Sequence, residues 1–170
     1  THPLSHAWRA TIAGDGDVAQ CRADVETSAL SDRVAVTGWM GPEDVERLLG
    51  EADVLTLPSH DENLPMSVIE AMGHGLAVVT TPVGATASII HDGHTGLLVP
   101  PGEDAPLAEA LFRVVRDADL RARLGAAARA FHAAHLDIRR HTETLTNSWE
   151  HILGVDAASD TPSPTGKAKA

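Results

Sequence analysis

Tyrosine is absent from this chain, and aromatic residues make up only 3% of it. A core built from it must be aliphatic and rich in alanine. A single cysteine, Cys21, excludes an internal disulfide and favours the cytoplasm as the compartment. Positive charge is scarce. The net charge is −11, and the only lysines, Lys167 and Lys169, lie at the far end. No run of Lys or Arg could track nucleic-acid phosphates, so nucleic acid is not an expected partner. The same scarcity argues against a basic helix on a membrane surface. No apolar run is long enough to span a bilayer. Any phosphate held before Lys167 would have to meet Arg, His or backbone N–H groups.

What is present is length enough for one domain and a regular alternation of patterns. Strand-like runs are Ala10–Ala13, Val34–Thr37, Val54–Leu57, Ala77–Thr80 and a short Leu97–Val99. Between them lie helical patterns at Val18–Leu30, Pro42–Leu49 and Pro65–His74, and a helical turn at Thr86–Ile90. Three helices follow, over Pro106–Val115, Ala118–Ala134 and Asp137–Leu153, each with an apolar stripe. Strands alternating with helices predict an α/β fold, Rossmann-like, with a mostly parallel sheet and flanking helices. Residues 1–153 are expected to form the domain. Residues 154–170 turn to Ala, Ser, Thr, Pro, Asp and Lys and are expected to be a disordered tail.

The most informative stretch is Glu62-Asn63-Leu64-Pro65-Met66-Ser67-Val68-Ile69-Glu70-Ala71-Met72. Two carboxylates stand eight positions apart, with a proline near a helix start between them. Glu62 falls in the loop at the carboxyl end of a strand, and Glu70 about two turns into the next helix. In an open parallel sheet that crevice is where ligands bind.

The segment resembles the Glu-x7-Glu motif of retaining glycosyltransferases with the GT-B fold, the large group 1 family. The spacing alone is not specific, but the ordered set is. Ala52-Asp53-Val54, Pro58-Ser59, Glu62 to Met72, Gly75 to Val79 and Asp92-Gly93-His94-Thr95-Gly96 to Gly102 follow one another as in that family. The resemblance covers roughly residues 9 to 150 and implies the carboxy-terminal, donor-binding domain of a sugar-transferring enzyme.

The resemblance implies a role for each matched residue. Glu62 would contact the donor sugar near the reacting carbon, and we take it as the catalytic candidate. Glu70 would accept hydrogen bonds from the ribose hydroxyls, a task that suits a carboxylate. Leu64, Pro65 and Met66 would act through the backbone at the helix start, an anion site in which Pro65 supplies no N–H. Gly38 and Trp39 would lie near the nucleotide base. Each has a plainer alternative: a solvated helix glutamate for Glu70, a dipole-favoured acid for Glu62, packing for Leu64 to Met66, and a surface loop for Gly38-Trp39. Ser59 and His60 read equally well as ordinary loop residues.

Other patterns carry less. Gly14-x-Gly16-x-x-Ala19 mimics a dinucleotide fingerprint, but Thr37-Gly38 stand where its acid is expected, so Asp15-Gly16 reads as a turn. His91/His94 and His132/His135 lack an accompanying set of ligands, and no metal or cofactor is expected. Cys21 has no partner His nearby and reads as packing.

The resembled domain opens with a strand and a helix carrying an Arg and a Lys that hold the donor's diphosphate. Only Thr1–Arg9 precede the first matched strand. The expectation is a partial GT-B carboxy-terminal domain lacking its first strand and helix: a fragment, a truncated product, or half of a split enzyme. The expected reaction is retaining transfer of a hexose from an NDP-sugar to an acceptor hydroxyl, the acceptor being unknown. The nucleotide would leave from the front face, assisted by the donor's own phosphate. A separate amino-terminal acceptor domain would be a partner, and the chain alone is expected to be inactive. The rivals are a non-catalytic module that binds nucleotide sugar or a partner, and a sugar-nucleotide epimerase. The order Glu62…Pro65…Glu70, then Asp92-Gly93…Gly96, argues against the epimerase.

Overall fold

The computed structural model describes residues 8–153, in two compact units that divide after Ala133. The tail expected over 154–170 lies outside the described residues.

The first unit alternates strands and helices. Strands are β1 (Ala10–Ala13), β2 (Val34–Gly38), β3 (Val54–Leu57), β4 (Ala77–Thr80) and β5 (Leu97–Leu98). Helices are α1 (Val18–Thr27), α2 (Pro42–Glu51), α3 (Met66–His74), the turn-length α4 (Thr86–Ile89), α5 (Asp104–Arg116) and α6 (Ala118–His135), the last running two residues past the division. Every recorded strand pairing is parallel. Each pairing joins strands linked by a helical crossover, as a parallel ladder requires.

The pairings make two sheets, β1-β2 and β3-β4-β5. Among the described residues β1 pairs only with β2, and β3 only with β4.

Burial divides the two sheets. All four residues of β4 are buried, as in a parallel strand covered on both faces. Ala77 and Val79 join Leu97, Val99, Ala110, Val114 and Leu124 in one aliphatic cluster, with Leu107, Leu111 and Leu120 packed against it. Helix α3 also packs on β4 and buries Val68, Ala71 and Met72. Filling such a site with a Val or Met side chain stabilises by about 1.5–3 kcal/mol. Every residue of β1, by contrast, is exposed, Ile12 at 45%.

Helix ends follow local chemistry. Pro42 opens α2 at a first-turn position, where its missing N–H costs nothing. Gly75 closes α3 in the left-handed region at φ 78°, and its N–H and that of Leu76 satisfy the Met72 and Ala71 carbonyls. Glycine is also required at Gly125 of α6, where a β-carbon would stand 2.0 Å from the Gly75 oxygen. That contact lets α6 lie against the end of α3. In α6, Leu124, Gly125 and Ala128 are buried, and Leu120, Ala127 and Phe131 are half-buried beside them.

The second unit contains α7 (Ile138–Leu153). Its expected stripe forms, with Ile138, Leu145, Trp149 and Ile152 all exposed.

Candidate functional site

The site begins where the β3–β4 ladder stops. Leu57 pairs with Thr80, and the next residue on β3's side is Pro58, which has no N–H to give. Threonine hydroxyls continue the connection. Thr80 Oγ1 donates to the Leu57 carbonyl at 2.8 Å, and Thr81 Oγ1 donates to the Ser59 carbonyl at 2.6 Å. Both threonines are only 1% exposed, so these bonds are shielded from water. They hold the loop 58–65 against the carboxyl end of the sheet.

Within that loop Ser59 Oγ donates to Glu62 Oε1 at 2.8 Å, in a partly buried setting. A second loop, after β4, presses on the same point. The Ala85 N–H donates to the Asn63 carbonyl at 2.8 Å. Gly84, at φ 56°, comes so close to the Glu62 backbone that no side chain fits between them. A third loop follows β5. Gly102, at φ 75°, lies beside His60, and a β-carbon there would stand 3.1 Å from Nε2.

Pro65 is the N-cap of α3 rather than a first-turn residue, and it is buried. Among the described residues no side chain caps this end, and no acid occupies its first turn. The first-turn N–H groups of Met66 and Ser67 have no partner within the helix by construction, which leaves a positive, donor-rich end. Leu64 and Met66 are 44% and 59% exposed beside it. Glu70 lies further along α3 and is exposed. His74, near the end of α3, meets Glu46 of α2 at 3.2 Å.

The structure therefore brings Ser59, His60, Glu62, Asn63 and Gly84 together at the start of α3. Gly38 and Trp39 stand elsewhere, at the end of β2 in the other sheet. Gly38 is buried at φ 80° beside Val18, and Trp39 is 72% exposed. The loops at the carboxyl ends of the strands (14–17, 39–41, 58–65, 81–85 and 99–103) contain several acids but neither Lys nor Arg. Thr81 and Gly84 also shape the site, and neither carries a sequence signal, because a single hydroxyl and a single loop glycine have no periodicity.

The Asp92–Gly96 stretch works differently. Asp92 Oδ1 accepts from the Leu98 N–H at 2.9 Å, and the buried Thr95 hydroxyl accepts from the His91 N–H at 2.8 Å. A β-carbon on Gly96 would meet the Val78 oxygen at 2.8 Å. This turn launches β5 from its amino end, away from the site.

The known relatives of this arrangement are consistent with one another. Among solved structures, the sucrose-phosphate synthase of Thermosynechococcus elongatus superposes with a TM-score of 0.76 at 24% identity, covering 86% of this chain and 39% of that one. The Anabaena protein HepE in complex with UDP-glucose gives 0.75 at 23%, covering 84% and 41%. The fold is that of the GT-B glycosyltransferases. The chain belongs to the family described as Glycosyl transferases group 1, whose model matches residues 2–117. An alpha-D-kanosaminyltransferase of Streptomyces kanamyceticus is 31% identical over 145 residues, 83% of this chain. A 2-deoxystreptamine N-acetyl-D-glucosaminyltransferase of Streptomyces fradiae is 35% identical over 150 residues, 87% of this chain. The chain spans 37% and 35% of the length of these two relatives.

Proposed function

We propose that this chain is the donor-binding part of an enzyme that transfers a hexose from an NDP-sugar to an acceptor hydroxyl with retention. The observation that carries the reading is the Glu62 carboxylate, held by Ser59 beside the uncapped start of α3. The free N–H groups of Met66 and Ser67 suit an anionic donor. Glu62 then faces the sugar's hydroxyls, and Glu70 serves the ribose. Gly38 and Trp39 offer the exposed ring and tight turn that would receive the base. The UDP and UDP-glucose found on HepE, a structural neighbour, support a nucleotide-sugar ligand.

Catalysis on this reading is positioning and electrostatics. As the sugar–phosphate bond breaks, charge grows on the departing diphosphate, and the α3 end faces it. The donor's own phosphate takes the acceptor proton on the same face, which preserves the anomeric configuration. Glu62 orients the sugar and does not attack it: a retaining glycosidase needs two carboxylates flanking one bond, whereas Glu62 and Glu70 serve opposite ends of one donor. We place this work in the cytoplasm, on the single cysteine; among the described residues no helix is long and apolar enough to cross a membrane.

One observation favours a second reading for these 170 residues by themselves. The site loops hold no Lys or Arg to balance a diphosphate. The chain alone then binds the donor without transferring it, and the acceptor domain comes from the rest of the enzyme, since orienting two substrates supplies much of the barrier reduction. Calorimetry of the chain with UDP-glucose, GDP-mannose and ADP-glucose, alongside a transfer assay with sugar and lipid acceptors, separates the readings. Binding without turnover is expected. Turnover well above hydrolysis would make the chain an enzyme on its own, and absence of any binding would remove the donor-site reading.

A further inference from the structure

Beyond the end of its ladder, the loop after β3 is held partly by side-chain hydroxyls. Pro58 stops the ladder, yet the Ser59 carbonyl is caught by the buried Thr81 hydroxyl at 2.6 Å. The Ser59 hydroxyl in turn donates to Glu62 Oε1 at 2.8 Å. Serine three residues before a glutamate resembles a capping box, in which the pair satisfies a helix start. Here that geometry does not arise, because α3 begins at Met66 with Pro65 as its cap. The pair instead joins two side chains within a loop.

We infer that Ser59 and Thr81 are positioning residues that fix the Glu62 carboxylate in one orientation for the donor's sugar; this rests on the donor-site reading above. Neither residue needs to touch the donor. Thr81 sets where the Ser59 backbone lies. Ser59 then occupies one lone-pair site on Oε1 and leaves the other, together with Oε2, for sugar hydroxyls. A free glutamate in a loop would sample several rotamers, and each binding event would have to freeze them. The tether removes that cost in advance.

The test has two arms on the full chain. In the first, without ligand, glutamate-labelled protein reports the Glu62 carboxyl carbon resonance and its side-chain couplings. Ser59→Ala and Thr81→Val should shift the resonance and average the couplings, while Ser59→Thr and Thr81→Ser keep both near wild type. In the second, UDP-glucose, GDP-mannose and ADP-glucose are each titrated against their free diphosphates. Ser59→Ala should weaken the nucleotide sugar about threefold to tenfold and leave the diphosphate unchanged, with Ser59→Thr restoring binding. Unaltered couplings in folded Ser59→Ala would overturn the tether. Equal losses for sugar nucleotide and diphosphate would overturn the sugar-directed role. A wild-type chain that binds neither ligand would count against the donor site itself, and the first arm would still judge the tether.

Discussion

Gly84 and Glu62 touch through their backbones: a β-carbon on Gly84 would lie 2.0 Å from the Glu62 carbonyl oxygen. The loop after β4 thus serves as a backstop for the loop that carries the acid. Gly84→Ala must push Glu62 away and also hold alanine at φ 56°. We expect a stability loss of about 1–3 kcal/mol in urea unfolding, together with weaker binding of nucleotide sugar. An unchanged unfolding midpoint would show that the contact yields without cost.

The two glutamates should separate by ligand. Glu70→Ala should weaken a free nucleoside diphosphate more than Glu62→Ala does, because the ribose is present in every nucleotide. Glu62→Ala should matter only when a sugar is attached. Losing a charged hydrogen-bond partner costs roughly 1.5–3 kcal/mol, or about tenfold to a hundredfold in affinity. Calorimetry on both variants decides it, and equal losses for the diphosphate contradict the assignment.

Gly125 offers a test in which propensity and packing have opposite signs. In an open helix Gly→Ala gains about 1 kcal/mol. Here the new methyl would stand 2.0 Å from the Gly75 oxygen. Overpacking should win, and Gly125→Ala should lower stability by about 1–3 kcal/mol. Thermal unfolding reads the sign directly, and stabilisation would mean that α6 does not lie against Gly75 in solution.

Hydrogen exchange should divide the strands. Amides of Val78 and Val79, fully buried on β4, should exchange at least about a hundredfold more slowly than that of Ile12, on a strand with no buried residue. Comparable protection in both would show that β1 is covered in solution.

The order and kind of elements were legible because each strand and helix carries its own period and its own stop. Val54–Leu57, Ala77–Thr80 and the αL cap at Gly75 needed no tertiary information. The placement of the Glu62 loop between β3 and α3 was legible, but its holders were not. Thr81 and Gly84 lie some twenty residues further on and act through one hydroxyl and one missing side chain. Neither effect has a sequence period. Asp92-Gly93…Gly96 stands out in sequence as part of the family pattern, and the structure gives it a turn-building task. Gly125 was invisible for a related reason: a helical glycine means nothing until its neighbour is known.

Every strand pairing joins elements that are near in sequence: β1 with β2, β3 with β4, β4 with β5. Each is parallel, so a whole helical crossover must close before the ladder forms, and that closure entropy slows folding relative to a hairpin or helix. The same locality has a second effect. Among the described residues no backbone ladder ties β1-β2 to β3-β4-β5, so the two sheets need not melt at one temperature. Side-chain packing such as His74 of α3 on Glu46 of α2 carries that joint, so changes at these helices should alter how far the two sheets melt together.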